Sequence, residues 1–411
     1  MNIHILGIAG TMTAPLALEL KNKGHTVSGS DQKQIYPPIS DILKDIKINQ
    51  TIDYSKIDLF IIGSSYDKFQ NCRQEFETIK KIKKKYISAT KYIAQNIIKT
   101  NSILVAGSYG KTTIAAKLAW IFKNLDYQPS YMFGGLSLGN FPSLKIDDSP
   151  WSIVEADESI NGLDTEAKFL SFKIKYLILT STDWEHKDCY PSAKANRQAY
   201  IDLIKKIPQD GLLIANEDID KKIVNHCPSQ IILYKKENEQ AIVKLCGNLK
   251  IKPNLVKKYL QNFPGLYRRF QIKEKNNIVF VDDFAQSEPR IKYTLQKIST
   301  QYPNKIIKVF FEPHASFLKY QESLQNFDQA FELASEIILS KIKFSPDINK
   351  NKRVTFANYK NILKEKIQYL PINQDILSHY KKTLKKGDVL VHFSSGGKEG
   401  LELFNKIIHN T

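Results

Sequence analysis

The chain has 411 residues, more than one hydrophobic core ordinarily serves, so two or three domains are expected. Its 42% hydrophobic and 25% charged residues argue against extended disorder, no apolar run is long enough to cross a bilayer, and Met1-Asn2-Ile3-His4-Ile5 leads directly into a strand-like segment without a basic signal region, so a cytoplasmic protein without membrane insertion is expected. The net charge of +18 is spread along the chain, and its densest runs, Lys80-Lys81-Ile82-Lys83-Lys84-Lys85 and residues 350–353, lie far apart without an aromatic platform; the excess reads as a solvated surface favouring anionic substrates, with no nucleic acid expected.

The first apolar run, Ile3-His4-Ile5-Leu6, stops at Gly7-Ile8-Ala9-Gly10-Thr11, and residues 12–23 follow with helical spacing closed by Gly24. Residues 26–30 make a second strand ending at Asp31, which completes a βαβ unit. The turn lacks the full G-x-G-x-x-G of a dinucleotide fingerprint, so NAD is not required. Gly7, Gly10 and Thr11 can equally hold the diphosphate of a UDP-sugar, with Asp31 near a ribose or a base. A buried strand over 58–63 then delivers Ser64-Ser65-Tyr66 to its carboxyl end, where open α/β sheets bind ligands, and makes Ser64 a candidate contact.

The sharpest signal is Ile103-Leu104-Val105-Ala106-Gly107-Ser108-Tyr109-Gly110-Lys111-Thr112-Thr113, a strand, a glycine turn and the start of a helix over 114–122. It reads as an ATP phosphate loop: backbone amides of Gly107, Ser108, Gly110 and Thr113 aimed at an anion, Lys111 reaching the terminal phosphates, and the Thr112 hydroxyl on Mg2+. Val105 stands where the usual signature has its first glycine. Residues 131–141 form a glycine-rich connection that contains Asn140, and the strand over 151–154 runs into Glu155-Ala156-Asp157-Glu158-Ser159. Crowded carboxylates repel unless a cation or a basic partner is present, and Glu155 is the candidate second Mg2+ ligand. The strand over 176–179 delivers Asp183-Trp184-Glu185-His186-Lys187-Asp188, where His186 is a candidate metal or phosphate contact. Cys72, Cys189, Cys227 and Cys246 show no C-x-x-C pair and read as reduced and structural.

In the last third, Arg268 and Arg269 precede a strand over 278–281 that carries Asp282-Asp283 at its end. Strands over 306–311 and 389–393 end in Glu312-Pro313-His314 and Ser394-Ser395-Gly396-Gly397. Helices are expected over 320–334 and 400–408, and residues 345–353 read as an exposed polar connection.

Six stretches in chain order resemble the Mur ligase family, the three-domain ATP-dependent amide-bond-forming enzymes of peptidoglycan synthesis and recycling: G-I-A-G-T from Gly7, G-S-Y-G-K-T-T from Gly107, E-A-D-E-S from Glu155, D-W-E-H-K-D from Asp183, F-P-G-L-Y-R-R-F from Phe263 and D-D-F-A from Asp282. The resemblance implies an α/β protein of three domains: a Rossmann-like UDP-sugar domain over 1–97, a P-loop ATPase-like domain with a mostly parallel sheet over 98–262, and a Rossmann-like amine-substrate domain over 263–411. It implies UDP-N-acetylmuramate as substrate, bound by Gly7, Gly10, Thr11, Asp31, Ser64 and Asn140, and ATP with Mg2+ as cofactors. Lys111, Glu155, His186 and Arg269 would act on the phosphates, the metal would lie among Thr112, Glu155 and His186, and Asn238 and Asp283 would touch the nucleotide. Asp31 with Tyr36-Pro37-Pro38, Glu312-Pro313 with Lys319, and Ser394 to Gly397 resemble most the member that joins L-Ala-γ-D-Glu-meso-diaminopimelate to UDP-N-acetylmuramate through an acyl phosphate; the member that adds L-alanine is the alternative, and a monomer or weak homodimer is implied. The sequence departs from the family at Tyr109 and Ser181, which replace a histidine and an asparagine, at Gln286-Ser287, which replace a histidine pair, and over 216–263, which is short. A weakened, ligase-derived UDP-sugar-binding protein is the alternative of another class.

Overall fold

The computed structural model describes residues 1–160, 162–184, 189–235, 237–313, 324, 326–342, 353–394 and 398–411, with the side chain of Lys398 left aside. Three sheets organise the chain, and their central strands are short apolar runs buried on both faces, as parallel sheets require. The first contains β1 (Asn2–Leu6), β2 (Thr26–Ser30), β3 (Lys47–Ile48), β4 (Leu59–Ile62) and β5 (Tyr86–Ser88) in the order β3-β2-β1-β4-β5, all parallel. Strand order reverses between β1 and β4, whose ends are level at Leu6 and Ile62, so the loops that follow them border one crevice.

The second sheet holds β6 (Asn101–Ala106), β7 (Ser130–Met132), β8 (Leu144–Lys145), β9 (Trp151–Glu155), β10 (Tyr176–Leu179), β11 (Leu212–Asn216) and β12 (Gln230–Tyr234), in the order β12-β11-β10-β6-β9-β7-β8. Only the β7–β8 pair is antiparallel. The expected connection over 131–141 therefore begins inside a strand, because Ser130, Tyr131 and Met132 are all buried against β9. The strand β6 lies between β9 and β10, and the three carboxyl ends stand side by side.

The third sheet contains β13 (Gln271–Lys275), β14 (Ile278–Asp283), β15 (Ile307–Glu312), β16 (Glu336–Leu339), β17 (Ile367–Tyr369) and β18 (Val389–Ser394), in the order β13-β14-β18-β15-β16-β17, with β13 alone antiparallel. Alternation sends Val279, Val281, Val309, Phe311 and Val391 into one core and Phe280, Phe310 and Leu390 into the other. The helix expected over 320–334 is corrected: among the described residues of that range only Phe327–Ala330 is α-helical, and the chain turns at Phe331 to reach β16. The expected connection over 345–353 lies outside the described residues except for Arg353.

The first two sheets belong to one compact unit, Met1–Pro264, and the third to another, Gly265–Thr411. A continuous core from Ile5 and Leu16 to Leu104, Val154 and Leu177 runs through the first unit.

Candidate active site

The strand β6 is buried to its last residue, and the chain leaves it through Gly107 (φ 129°) and Gly110 (φ 80°) into the helix Lys111–Asn124. Only glycine suits either position: a Cβ on Gly107 would fall on the Thr180 hydroxyl and within 2.8 Å of the Ser181 nitrogen, and one on Gly110 would fall on the Asn238 amide. Thr180 and Ser181, at the end of β10, shape the loop. The Ser181 hydroxyl accepts from the N–H groups of Ser108 (2.8 Å) and Tyr109 (3.3 Å), Thr180 donates to the Tyr109 carbonyl (2.5 Å), and Ser108 donates to the Asp183 carbonyl (2.7 Å). Ser181, a departure from the family pattern, thus holds the turn by its amides.

The three acids at and just beyond the end of β9 take separate partners. Glu155 accepts from the Thr112 hydroxyl at 2.9 Å and from the Gly134 N–H at 2.6 Å. Asp157 pairs with Lys168 at 2.8 Å. Glu158 receives the Lys111 ammonium on both oxygens, at 2.7 and 3.1 Å, and the same ammonium donates to the Gly107 carbonyl. Lys111 and Glu158 are both buried, 5% and 1% exposed, so this pair is shielded from solvent screening. The Tyr190 hydroxyl donates to the Glu158 carbonyl at 2.6 Å, and burial pushes its ionisation above the usual tyrosine range. The repulsion expected of crowded carboxylates is answered by two lysines, and neither pairing is readable from sequence spacing.

Asn238 is buried beside the loop, its carbonyl oxygen accepting from the Tyr234 hydroxyl at 3.0 Å. Thr113 lies in the first turn of the helix and is partly exposed, Asn140 is exposed, and His186 lies outside the described residues. Among the described residues no group of three or more His, Cys, Asp or Glu side chains is arranged to hold a metal. The candidate metal set is therefore represented by Thr112 and Glu155.

At the first sheet's switch point, Gly7 (φ 69°) turns the chain, and its N–H donates to the Ser30 carbonyl at 2.8 Å. The Asp31 carboxylate accepts from the N–H groups of Ala9 (2.7 Å) and Gln32 (2.8 Å); burial raises its pKa, and those two bonds oppose the shift. Asp31 thereby fixes the glycine turn. The hydroxyl bonded to that turn is Thr13, which donates to the Gly7 carbonyl (2.7 Å) and accepts from the Gly10 N–H (3.1 Å), whereas Thr11 is exposed. Ser64 is half-buried on the opposing loop, and a Cβ on the neighbouring Gly63 would come within 2.8 Å of the Leu6 carbonyl, so the two loops meet closely.

In the second unit, Asp282 takes Arg268 Nε at 2.9 Å and His392 Nδ1 at 2.9 Å, all three groups buried. Burial alone would raise its carboxyl, but His392 and Arg268 together hold it below the usual range. Asp283 accepts from the N–H groups of Phe270 (2.7 Å) and Ala285 (2.9 Å), bracing a segment in which Arg268 and Phe270 both adopt φ 53°. Arg269 lies over the Phe284 ring, 5.3 Å from its centre. Of the two arginines, Arg268 makes the buried ion pair that sequence reasoning had no means to assign.

A helix N-terminus with glycine-permitted amides, a buried lysine, and a hydroxyl–carboxylate pair fit a nucleotide phosphate chain and a hard divalent cation by donor chemistry. A family model described as "Mur ligase family, catalytic domain" matches residues 2–99. The chain is 26% identical over 370 residues to the UDP-N-acetylmuramate--L-alanyl-gamma-D-glutamyl-meso-2,6-diaminoheptandioate ligase of Haemophilus influenzae, covering 77% of this chain and 81% of that one. It is 27% identical over 463 residues to the UDP-N-acetylmuramate--L-alanine ligase of Borrelia garinii, covering 96% of each. Among solved structures it resembles the UDP-N-acetylmuramate-alanine ligase of Thermotoga maritima with a TM-score of 0.74 at 20% identity, over 100% of this chain and 98% of the other, a likeness of fold.

Proposed function

We propose that the chain, whose residues 2–99 match the Mur ligase family model, is an ATP-dependent ligase that joins L-Ala-γ-D-Glu-meso-diaminopimelate to UDP-N-acetylmuramate. The observation that carries this reading is the convergence of Lys111, Thr112 and Glu155 at the carboxyl ends of β6 and β9. ATP and Mg2+, when bound, supply a transferable phosphoryl group that makes an acyl phosphate of a carboxylate and opens it to an amine. The chain's own part is charge and position. The amides of the 107–110 turn and the helix that follows favour phosphate oxygens, Lys111 brings a buried positive charge, and Thr112 and Glu155 offer oxygens suited to Mg2+.

Glu158 holds the Lys111 ammonium in the nucleotide-free site, and Lys111 would exchange that carboxylate for a phosphate oxygen without losing a paired charge. Gly7, Gly10 and Ser64 border the crevice assigned to the UDP-sugar, and Asp31 keeps its turn in shape. His186, Asn140, Asn238, Arg269 and Asp283 keep their roles in this reading on the family resemblance. The tripeptide is favoured over L-alanine by Asp31 with Tyr36-Pro37-Pro38 and by Glu312-Pro313.

Phosphate release with ATP, Mg2+ and UDP-N-acetylmuramate tests the proposal. Release is expected with the tripeptide and not with L-alanine, and K111A should lower it by at least about a hundredfold through loss of phosphoryl charge stabilisation. Release with L-alanine alone would make the chain the alanine-adding ligase. Tight UDP-sugar binding without release for any amine overturns the enzyme reading in favour of a binding protein.

A further inference from the structure

The basic run Lys80-Lys81-Ile82-Lys83-Lys84-Lys85 takes no part in the site above. It ends the helix Gln70–Lys81 and leads into β5, the edge strand of the first sheet. The Lys83 N–H donates to the Lys80 carbonyl (3.1 Å) and the Lys84 N–H to the Ile79 carbonyl (3.2 Å), the two bonds of a Schellman ending. The left-handed position of that ending, which favours glycine or asparagine, is held by Lys83 at φ 55°. Ile82 beside it is 46% exposed and Tyr86 is 42% exposed, so an aliphatic and an aromatic side chain stand in water among lysines. The Tyr86 ring is anchored edge-on to Phe76, centres 5.2 Å apart, which fixes how the residue is presented.

Lys80, Lys81, Lys83 and Lys85 are exposed around these two. Lys84 reaches the carbonyls of Ser55 (2.8 Å) and Ile57 (3.3 Å), which ties the turn Tyr54–Lys56, with its exposed Lys56, to this run. Glu77 pairs with Lys80 at 2.6 Å and Asp53 faces Lys56 at 3.7 Å, so the lysines outnumber the acids beside them.

We infer that this face docks on the surface of an anionic lipid bilayer. Lysine heads neutralise headgroup phosphates, an exposed isoleucine gains by leaving water for the acyl boundary, and a tyrosine suits the interface between them. A nucleic-acid platform would present aromatic faces for stacking, and here Tyr86 and the half-buried Tyr66 are both held edge-on to Phe76, with an aliphatic chain beside them. The inference stands independently of the ligase reading.

Co-sedimentation of the full chain with vesicles tests it. Binding is expected to phosphatidylcholine vesicles containing phosphatidylglycerol and not to phosphatidylcholine alone. Each lysine near the surface contributes on the order of fivefold, so K80Q/K81Q/K83Q/K85Q should lose more than about a hundredfold in partitioning. I82S, which removes no charge, should lose about fivefold. A variant with the same loss of charge elsewhere on the surface, K221Q/K222Q/K252Q/K257Q, should bind within about threefold of the natural chain. Thermal unfolding of each variant checks that it folds, and I82S alone decides the matter if the quadruple variant does not. Equal loss in the two quadruple variants, undiminished binding of I82S, equal binding to neutral vesicles, or tighter binding of a single-stranded oligonucleotide through the same lysines overturns the inference.

Discussion

Lys111 carries the buried positive charge of the candidate site, and its salt bridge to Glu158 sets the condition under which a phosphate can reach it. Removing one member of a buried pair leaves the other charged in a low-dielectric site, which is costlier than losing both. E158Q should therefore destabilise the nucleotide-free first unit by about 3 kcal/mol, read as a lower midpoint of thermal or urea unfolding. It should also raise affinity for Mg-ADP by about tenfold, because the phosphates no longer compete with a carboxylate for the ammonium. Isothermal titration reads the second effect, and a fall in affinity would mean that Glu158 serves the nucleotide directly. Sequence spacing could place Glu155, Asp157 and Glu158 after one strand, but it could not distribute them among Thr112, Lys168 and Lys111. Those partners lie on other elements, and only the side-by-side order of β6 and β9 brings Thr112 and Lys111 to the acids.

Elements whose strands are apolar runs halted by glycines or acids were legible: β1, β6, β9, β10, β14 and β18 all stand where the pattern put them. The edge strands Lys47–Ile48 and Tyr86–Ser88 were not, since two or three residues carry no period. The helix expected over 320–334 failed for another reason. Phe327, Ala330, Phe331 and Ala334 have helical spacing and are all buried, yet among the described residues the α-helix is confined to Phe327–Ala330, after Asn326 at φ 64°, and the chain turns at Phe331. The tie among Arg268, Asp282 on β14 and His392 on β18 was likewise invisible, because its members are far apart in the chain. Its effect on stability is testable by pH. With a folded-state pKa held below the ordinary 3.8, Asp282 contributes stability that is complete above 3.8 and is lost as pH falls through the lower folded value. D282N should cost about 3 kcal/mol near pH 7, and that deficit should narrow below pH 3.8 as the natural side chain takes up its own proton. Urea unfolding followed at pH 7 and at successively lower pH measures the deficit; a gap that stays constant would show that charge plays no part.

At the scale of the molecule, the family resemblance implied three α/β domains, and three sheets are present, two of them within one compact unit. The core uniting those two, from Ile5 to Leu177, is assembled from both sheets and has no sequence signature of its own. The second unit differs in this respect. Its sheet is covered on both faces by its own side chains, with Phe311, Phe331 and Tyr359 on one and Phe310, Tyr380 and Phe404 on the other. A domain of about 150 residues buries roughly 70% of its unfolded surface, which is enough for independent stability. Residues 265–411 produced alone should therefore unfold cooperatively in urea, with a stability of about 5 kcal/mol or more. The tie of Arg268 to Asp282 and His392 lies wholly within that segment, so D282N should lower the isolated unit's midpoint as it does the full chain's. A broad, non-cooperative transition for the isolated segment, alongside a sharp one for the same residues in the full chain, would show that the second unit draws part of its stability from the first.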